Sequence, residues 1–188
     1  NDGDQDVYIP RKFGINWLLE NQTLVKVGNE IIYNENPNPF FIEVAIEKGI
    51  DDFNASSTGS TGYGAAWGDF DNDNNFDLYL SNWGDNILFK NNPDQTFTDM
   101  TETIDLRSDS LSNGSAWGDF NNDGYIDVWA ANIKKQDDLY LNSPDGNWSS
   151  EFSPVFPAAT QDIVPADYDN DGWLDVFAAG LQMVGGPN

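Results

Sequence analysis

The sequence predicts an all-β fold built from repeated four-stranded units, on three observations. An acidic nine-residue loop occurs three times, as Asp69-Phe-Asp-Asn-Asp-Asn-Asn-Phe-Asp77, Asp119-Phe-Asn-Asn-Asp-Gly-Tyr-Ile-Asp127 and Asp167-Tyr-Asp-Asn-Asp-Gly-Trp-Leu-Asp175, with first residues 50 and then 48 positions apart. Short runs rich in β-formers leave each copy: Phe76–Leu80, Ile126–Ala130 and Leu174–Ala178. A further strand, turn and strand then follow the first two copies, as Asn86–Met100 and Asp137–Ser149. Four short strands recurring every fifty or so residues point to the blades of a β-propeller, where radial repetition protects the sheet edges.

Taken in order, the chain opens inside a loop of the same kind. Asn1–Ile9 matches loop positions 4 to 9 followed by an exit strand, with Asp2, Gly3 and Asp6 at positions 5, 6 and 9. The exit strands align as Val7-Tyr8, Leu78-Tyr79, Val128-Trp129 and Val176-Phe177, an aliphatic and an aromatic residue on opposite faces, as a sheet packed on both sides needs. Gly64–Gly68, Gly114–Gly118 and Asp162–Ala166 enter the three complete loops, so each loop joins two strands of a hairpin. In the first unit Asn16–Asn21 sits at the expected distance, but Glu30–Val44 is the better match to the turn and last strand. About fifteen residues, a stretch that includes Gln22 to Asn29, are thereby inserted, as an elongated hairpin rather than a recognition loop. The repeat units run 1–60, 61–112, 113–160 and 161–188, the last incomplete, which makes the chain roughly three blades of a longer ring.

Side-chain oxygens at loop positions 1, 3, 5 and 9 describe a cage for a hard cation, with Ca²⁺ the first reading. The residue at position 6 supplies a left-handed backbone that reverses the chain, and the carbonyl at position 7 then faces inward. Asn74 fills position 6 in the first full loop and is the best choice after glycine. An EF-hand is excluded, because its loop ends in a Glu at position 12, where this chain has Leu80, Ala130 and Ala178.

Composition narrows the function. With 8 basic and 32 acidic residues the formal charge is −24, which repels nucleic acid and anionic membranes. Four bound divalent ions would bring it to −16. Without metal the loop carboxylates repel one another, so folding and cation binding are expected to be coupled. The absence of Cys and His removes disulfides, thiol nucleophiles, a Ser-His-Asp triad and the usual zinc or haem sites. No apolar stretch is long enough to span a bilayer. Millimolar external calcium fills modest-affinity loops that cytosolic levels leave empty, so an extracellular, secreted or cell-surface location is expected.

Ala-Trp-Gly-Asp-Phe-Asx-Asn-Asp, then Asp-Val/Leu-aromatic, Asn-x-Leu-aromatic-x-Asn and Thr-Phe-Thr-Asp together resemble the FG-GAP/VCBS repeats of integrin-α-like propellers, especially those of cartilage acidic protein and its bacterial relatives. The resemblance covers nearly the whole chain. It implies a calcium-stabilised, usually seven-bladed propeller in secreted or surface-anchored proteins of adhesion and recognition. Carried over by position, the metal ligands are Asp69, Asp71, Asp73, Asn75 and Asp77; Asp119, Asn121, Asp123, Tyr125 and Asp127; and Asp167, Asp169, Asp171, Trp173 and Asp175. Asn75, Tyr125 and Trp173 would act through backbone carbonyls, and Asp2, Asp4 and Asp6 belong to the incomplete first loop.

Two function classes follow. The first is a non-enzymatic module whose calcium ions rigidify blades while loops contact a protein or glycan in adhesion or structural assembly. The alternative is an extracellular polysaccharide-active enzyme, since some polysaccharide lyases resemble this architecture; Glu43/Glu47 and Asp51/Asp52 are its candidate carboxylates. Trp67 and Trp117 recur at one repeat position and are expected to pack between blades, whereas Trp83 and Trp148, near strand ends or turns, are candidates for stacking on a sugar. Sequons at Asn21, Asn54, Asn113 and Asn147 are candidate glycosylation sites, though two or three arise by chance in a chain this rich in Asn, Ser and Thr.

Overall fold

In the computed structural model, residues 5–11, 16–27, 30–34, 41–50, 62–106, 111–152 and 159–180 are described. Their strands are β1 (Val7–Ile9), β2 (Trp17–Asn21), β3 (Leu24–Val27), β4 (Glu30–Tyr33), β5 (Phe41–Glu43), β6 (Gly62–Gly68), β7 (Asp77–Asn82), β8 (Ile87–Asn91), β9 (Phe97–Asp99), β10 (Ser112–Gly118), β11 (Asp127–Asn132), β12 (Asp138–Leu141), β13 (Ser149–Phe152), β14 (Thr160–Ala166) and β15 (Asp175–Gly180). The sheets are antiparallel meanders in chain order: β1-β2-β5, β6-β7-β8-β9, β10-β11-β12-β13 and β14-β15. Two complete four-stranded sheets with parts of two more make a partial propeller.

The alternation in the exit strands sets the packing. Leu78 and Leu80 of β7 face the first sheet and share a core with Tyr8, Leu18, Val44 and Ile50. Tyr79, between them in sequence, faces the third sheet and packs with Val128, Ala130 and Tyr140. One step further, Trp129 and Ala131 pack with Ile163, Val176 and Ala178. Each apolar core therefore lies between consecutive sheets, which is why an exit strand needs apolar residues on both faces.

Trp117 performs the inter-sheet packing expected of it. Its ring lies against Gly68 of the preceding sheet, where a Cβ would come within 2.7 Å of the indole, and its Nε1–H donates to the Ala66 carbonyl at 3.0 Å. Trp67 packs edge-on against Tyr8. Trp148 joins the same core as Trp117, and Trp83 stacks on Tyr63 at 4.4 Å and donates to Asn113 Oδ1, so both are committed to protein contacts.

At the strand ends opposite the acidic loops, a hydroxyl ties the third sheet, and again the fourth, to the one before. Ser112 Oγ accepts from Asn86 Nδ2 at 3.0 Å and donates to Asn132 Oδ1 at 2.7 Å, all three side chains being buried. Thr160 stands at the same register position in the next sheet and bonds Asp137. In β6 that position is Gly62, because Pro10 approaches to within 2.9 Å of where a Cβ would be. The two amide atoms a hydroxyl there would join, Asn16 Nδ2 and Asn82 Oδ1, are buried without protein partners.

One expectation is corrected. Of the Glu30–Val44 match to the turn and last strand, the last strand is present as β5, but Glu30–Tyr33 lies outside the first sheet: among the described residues β4 pairs only with β3, in a separate hairpin, while β2 pairs with β1 on one side and β5 on the other. The inserted segment is thus the expected elongated hairpin, but it takes in residues 30–33. A short helix, α1 (Ala45–Lys48), was not foreseen; its Ala45 N–H donates to Glu43 Oε1, and beyond it Ile50 is buried beneath Tyr8, whose hydroxyl donates to the Ile50 carbonyl.

Candidate metal centre

The three acidic loops join β6 to β7, β10 to β11 and β14 to β15, and they share one hydrogen-bond design. The carboxylate at position 1 accepts two backbone N–H groups from across the turn. Asp69 takes those of Asp73 and Asn74 at 3.0 and 2.9 Å, Asp119 those of Asp123 and Gly124, and Asp167 those of Asp171 and Gly172. Position 5 turns one oxygen to the N–H of position 7: Asp73 to Asn75, Asp123 to Tyr125 and Asp171 to Trp173.

Position 9 closes each ring. Asp77 accepts from Phe70 N at 3.1 Å and from Asn91 N at 2.8 Å; Asp127 does the same with Phe120 and Asn142. Asp175 accepts from Tyr168 N. Asp6 accepts from Asn21 N at 2.8 Å, the counterpart of the Asn91 and Asn142 bonds, which supports its assignment to position 9. Asp2 and Asp4 lie outside the described residues.

The expected left-handed backbone at position 6 is present, at Asn74 (φ 68°), Gly124 (φ 91°) and Gly172 (φ 90°). A second left-handed residue stands at position 4, at Asn72, Asn122 and Asn170. Sequence reasoning overlooked it, although the signal was there: Asn fills position 4 in all three copies and tolerates that conformation.

Carboxylate oxygens of Asp69, Asp71 and Asp77 lie within 4.8 Å of one another, as do those of Asp167, Asp169 and Asp175. Ligand oxygens about 2.3–2.6 Å from one calcium ion can stand no further apart than about 5 Å, so both clusters have the dimensions of a calcium cage. Asp71 Oδ1 is buried with no hydrogen-bond partner, as an oxygen reserved for a cation would be. In the second loop Asn121 replaces the acid at position 3, and its Oδ1 accepts from the Asp123 N–H at 3.0 Å. The position 5 carboxylates stand outside the two clusters. The donor set is all oxygen, which suits a hard cation.

The electrostatics follow from crowding acids at a partly buried turn. Burial pushes the Asp77 carboxyl up to about 7; the Asn91 and Phe70 N–H groups pull it down, and Asp73 and Asp69 push it further up. Asp127 rises to about 6 for the same reasons in the same order. A divalent ion would reverse both shifts.

Residues 69–130 and 119–178 each match the model of the FG-GAP-like repeat, each match running from one acidic loop through to the exit strand of the next. The chain belongs to the FG-GAP-like repeat family. No curated protein matches it. As an FG-GAP-like chain it has the expected all-β repeat architecture, a propeller-like module of a kind often found in extracellular recognition. Among the described residues no helix is long and apolar enough to cross a membrane.

Other sequence candidates fare differently. Glu43 accepts the Ala45 N–H at the start of α1, Glu47 lies in the first turn of that helix, and Asp51 and Asp52 lie outside the described residues. Of the sequon residues, Asn21 donates through Nδ2 to the Gln5 carbonyl and Asn113 accepts from Trp83, whereas Asn147 is in an exposed turn and Asn54 lies outside the described residues.

Proposed function

We propose that this chain is part of an extracellular, calcium-stabilised propeller module that serves adhesion, recognition of a protein or glycan, or structural assembly at the cell surface, without catalysing a reaction. The observation that carries the reading is the pair of three-carboxylate clusters with the dimensions of a calcium cage, one at each end of the family match. In this reading Asp69, Asp71 and Asp77, Asp119, Asn121 and Asp127, and Asp167, Asp169 and Asp175 hold calcium through side chains, with the carbonyls of Asn75, Tyr125 and Trp173 completing the shells. The ion neutralises acids that otherwise repel, fixes the hairpin between the first two strands of a blade, and so presents neighbouring loops to a partner as a rigid surface.

Calcium titration by calorimetry, with thermal melts in calcium and in chelator, tests the metal. Several ions per chain and a large rise in melting temperature are expected; no binding would overturn the proposal. A glycan array and cell-surface capture on the same protein then separate glycan from protein recognition, and release of unsaturated uronides from pectin or alginate would refute the non-enzymatic assignment.

A further inference from the structure

Loop 69–77 holds a cation of its own. Lys90, on β8 of the same sheet, places Nζ on Asp71 Oδ2 and, at 2.9 Å, on Asp73 Oδ2, and the ammonium lies 5.8 Å from the centre of the Phe70 ring. Two carboxylates that the family pattern gives to the metal are thus already paired. Register sets this sheet apart from the next. Asn91 bonds Asp77 as Asn142 bonds Asp127, so the residue before it, Lys90, corresponds to Leu141. Among the described residues no ion pair joins a basic side chain to loop 119–127 or loop 167–175.

We infer that Lys90 is a tethered cation that makes loop 69–77 the last of the three loops to fill with calcium and the one that keeps its shape without it. The inference rests on the calcium reading above. A divalent ion entering among Asp69, Asp71 and Asp77 meets a positive charge bound to the carboxylate of one of its own ligands, and must displace it or tolerate it. Counting side chains, loop 69–77 has four acids and one ammonium, for a net −3, while loop 167–175 has four acids and no base, for −4. Loop 119–127 also stands at −3, but has no cation to displace. Calcium affinity follows ligand charge, and a unit charge a few ångströms from a divalent ion changes affinity on the order of tenfold even when screened as in water. The same ammonium offsets the repulsion among Asp69, Asp71 and Asp73 when calcium is scarce.

The position 6 amides report the three loops separately, because Asn74, Gly124 and Gly172 each donate to the first acid of their own loop. In a calcium titration of the ¹⁵N-labelled chain, the Asn74 amide should move only at roughly tenfold higher calcium than Gly172. In Lys90→Met that gap should close while Gly124 and Gly172 respond as before, and Lys90→Arg should behave like the wild type. An unchanged Asn74 midpoint in Lys90→Met, or a weaker one, would overturn the inference and make Lys90 at most an orienting partner of the bound ion. If none of the three amides responds, the calcium reading itself fails.

Discussion

Between pH 8 and pH 5 the metal-free protein should become more stable, and the size of the effect can be worked from two carboxyls. Asp77 titrates near 7 and Asp127 near 6 in the fold, against 3.8 for an ordinary aspartate. In that interval the folded state binds more protons than the unfolded one, so stability falls as pH rises and the full cost is present above about pH 7. One pKa unit is about 1.4 kcal/mol, and from pH 5 up to each carboxyl's value is about 2 and 1 pH units, which gives ceilings of about 3 and 1 kcal/mol for the two groups over this interval. Both loops open to water, and screening there cuts the sum to about 3 kcal/mol. For a chain of this size that is about 6–12 °C in melting temperature. The chain has no His to titrate in this window, and Asp137, whose carboxyl burial also pushes up, acts in the same direction. The assay is a series of melts in chelator at pH 5, 6, 7 and 8, repeated in millimolar calcium. Calcium should invert the trend, because it binds the ionised carboxylates and releases their protons. A melting temperature in chelator that is flat or rises from pH 5 to pH 8 would refute the argument.

Substitutions at three positions probe the packing and the turns. Gly68→Ala drives a Cβ to within 2.7 Å of the Trp117 ring and 2.8 Å of Ile126 Cδ1 and should cost about 1–3 kcal/mol in chemical denaturation. Trp117→Phe loses the hydrogen bond to the Ala66 carbonyl and part of an inter-sheet ring, for about 1–3 kcal/mol, and Trp117→Ala should cost about 3–5 kcal/mol; both are read from denaturant midpoints at constant slope. At Gly124 a Cβ meets nothing within 4 Å, so Gly124→Ala should pay only the left-handed backbone, about 1 kcal/mol, and Gly124→Asn less, since Asn74 already holds that conformation in the first loop.

The loops and their spacing were legible because each position has one chemical task and the pattern recurs three times. The same holds for the exit strands, where a single aliphatic–aromatic step fixes which core each side chain enters. Strand assignment in the first unit held for β5 and failed for Glu30–Tyr33, for a physical reason. The Asn-Pro sequence at 36–37 reads like the turn sequences of the other units, but third-strand identity is set by the residue that ends the strand. Asn21 reaches Asp6 as Asn91 reaches Asp77 and Asn142 reaches Asp127, and Asn16–Asn21 carried that spacing in plain view. Helix α1, at four residues, is too short to leave a periodicity. The pairing of Lys90 with Asp71 and Asp73 depends on β8 lying beside the loop, which only the fold supplies.

The acidic loop and the hydroxyl bridge hold opposite ends of the same strand pair, and this geometry separates their energies. In the third sheet, loop 119–127 closes β10 and β11 at one end, while Ser112 and Asn132 meet at the other, with Asn86 reaching in from the preceding sheet. A seven-residue strand rises about 20 Å over that distance, beyond the range at which unlinked perturbations couple. Ser112→Ala strands a buried donor on Asn86 and leaves Asn132 Oδ1 without the Ser112 hydroxyl, and should cost about 1–3 kcal/mol. That loss, measured by denaturant midpoint, should be the same within about 0.5 kcal/mol in saturating calcium and in chelator. A loss much larger in chelator would mean that metal removal loosens the whole strand pair rather than its loop end. The blade would then respond to calcium as one cooperative unit, and the two devices could not be treated as independent clamps.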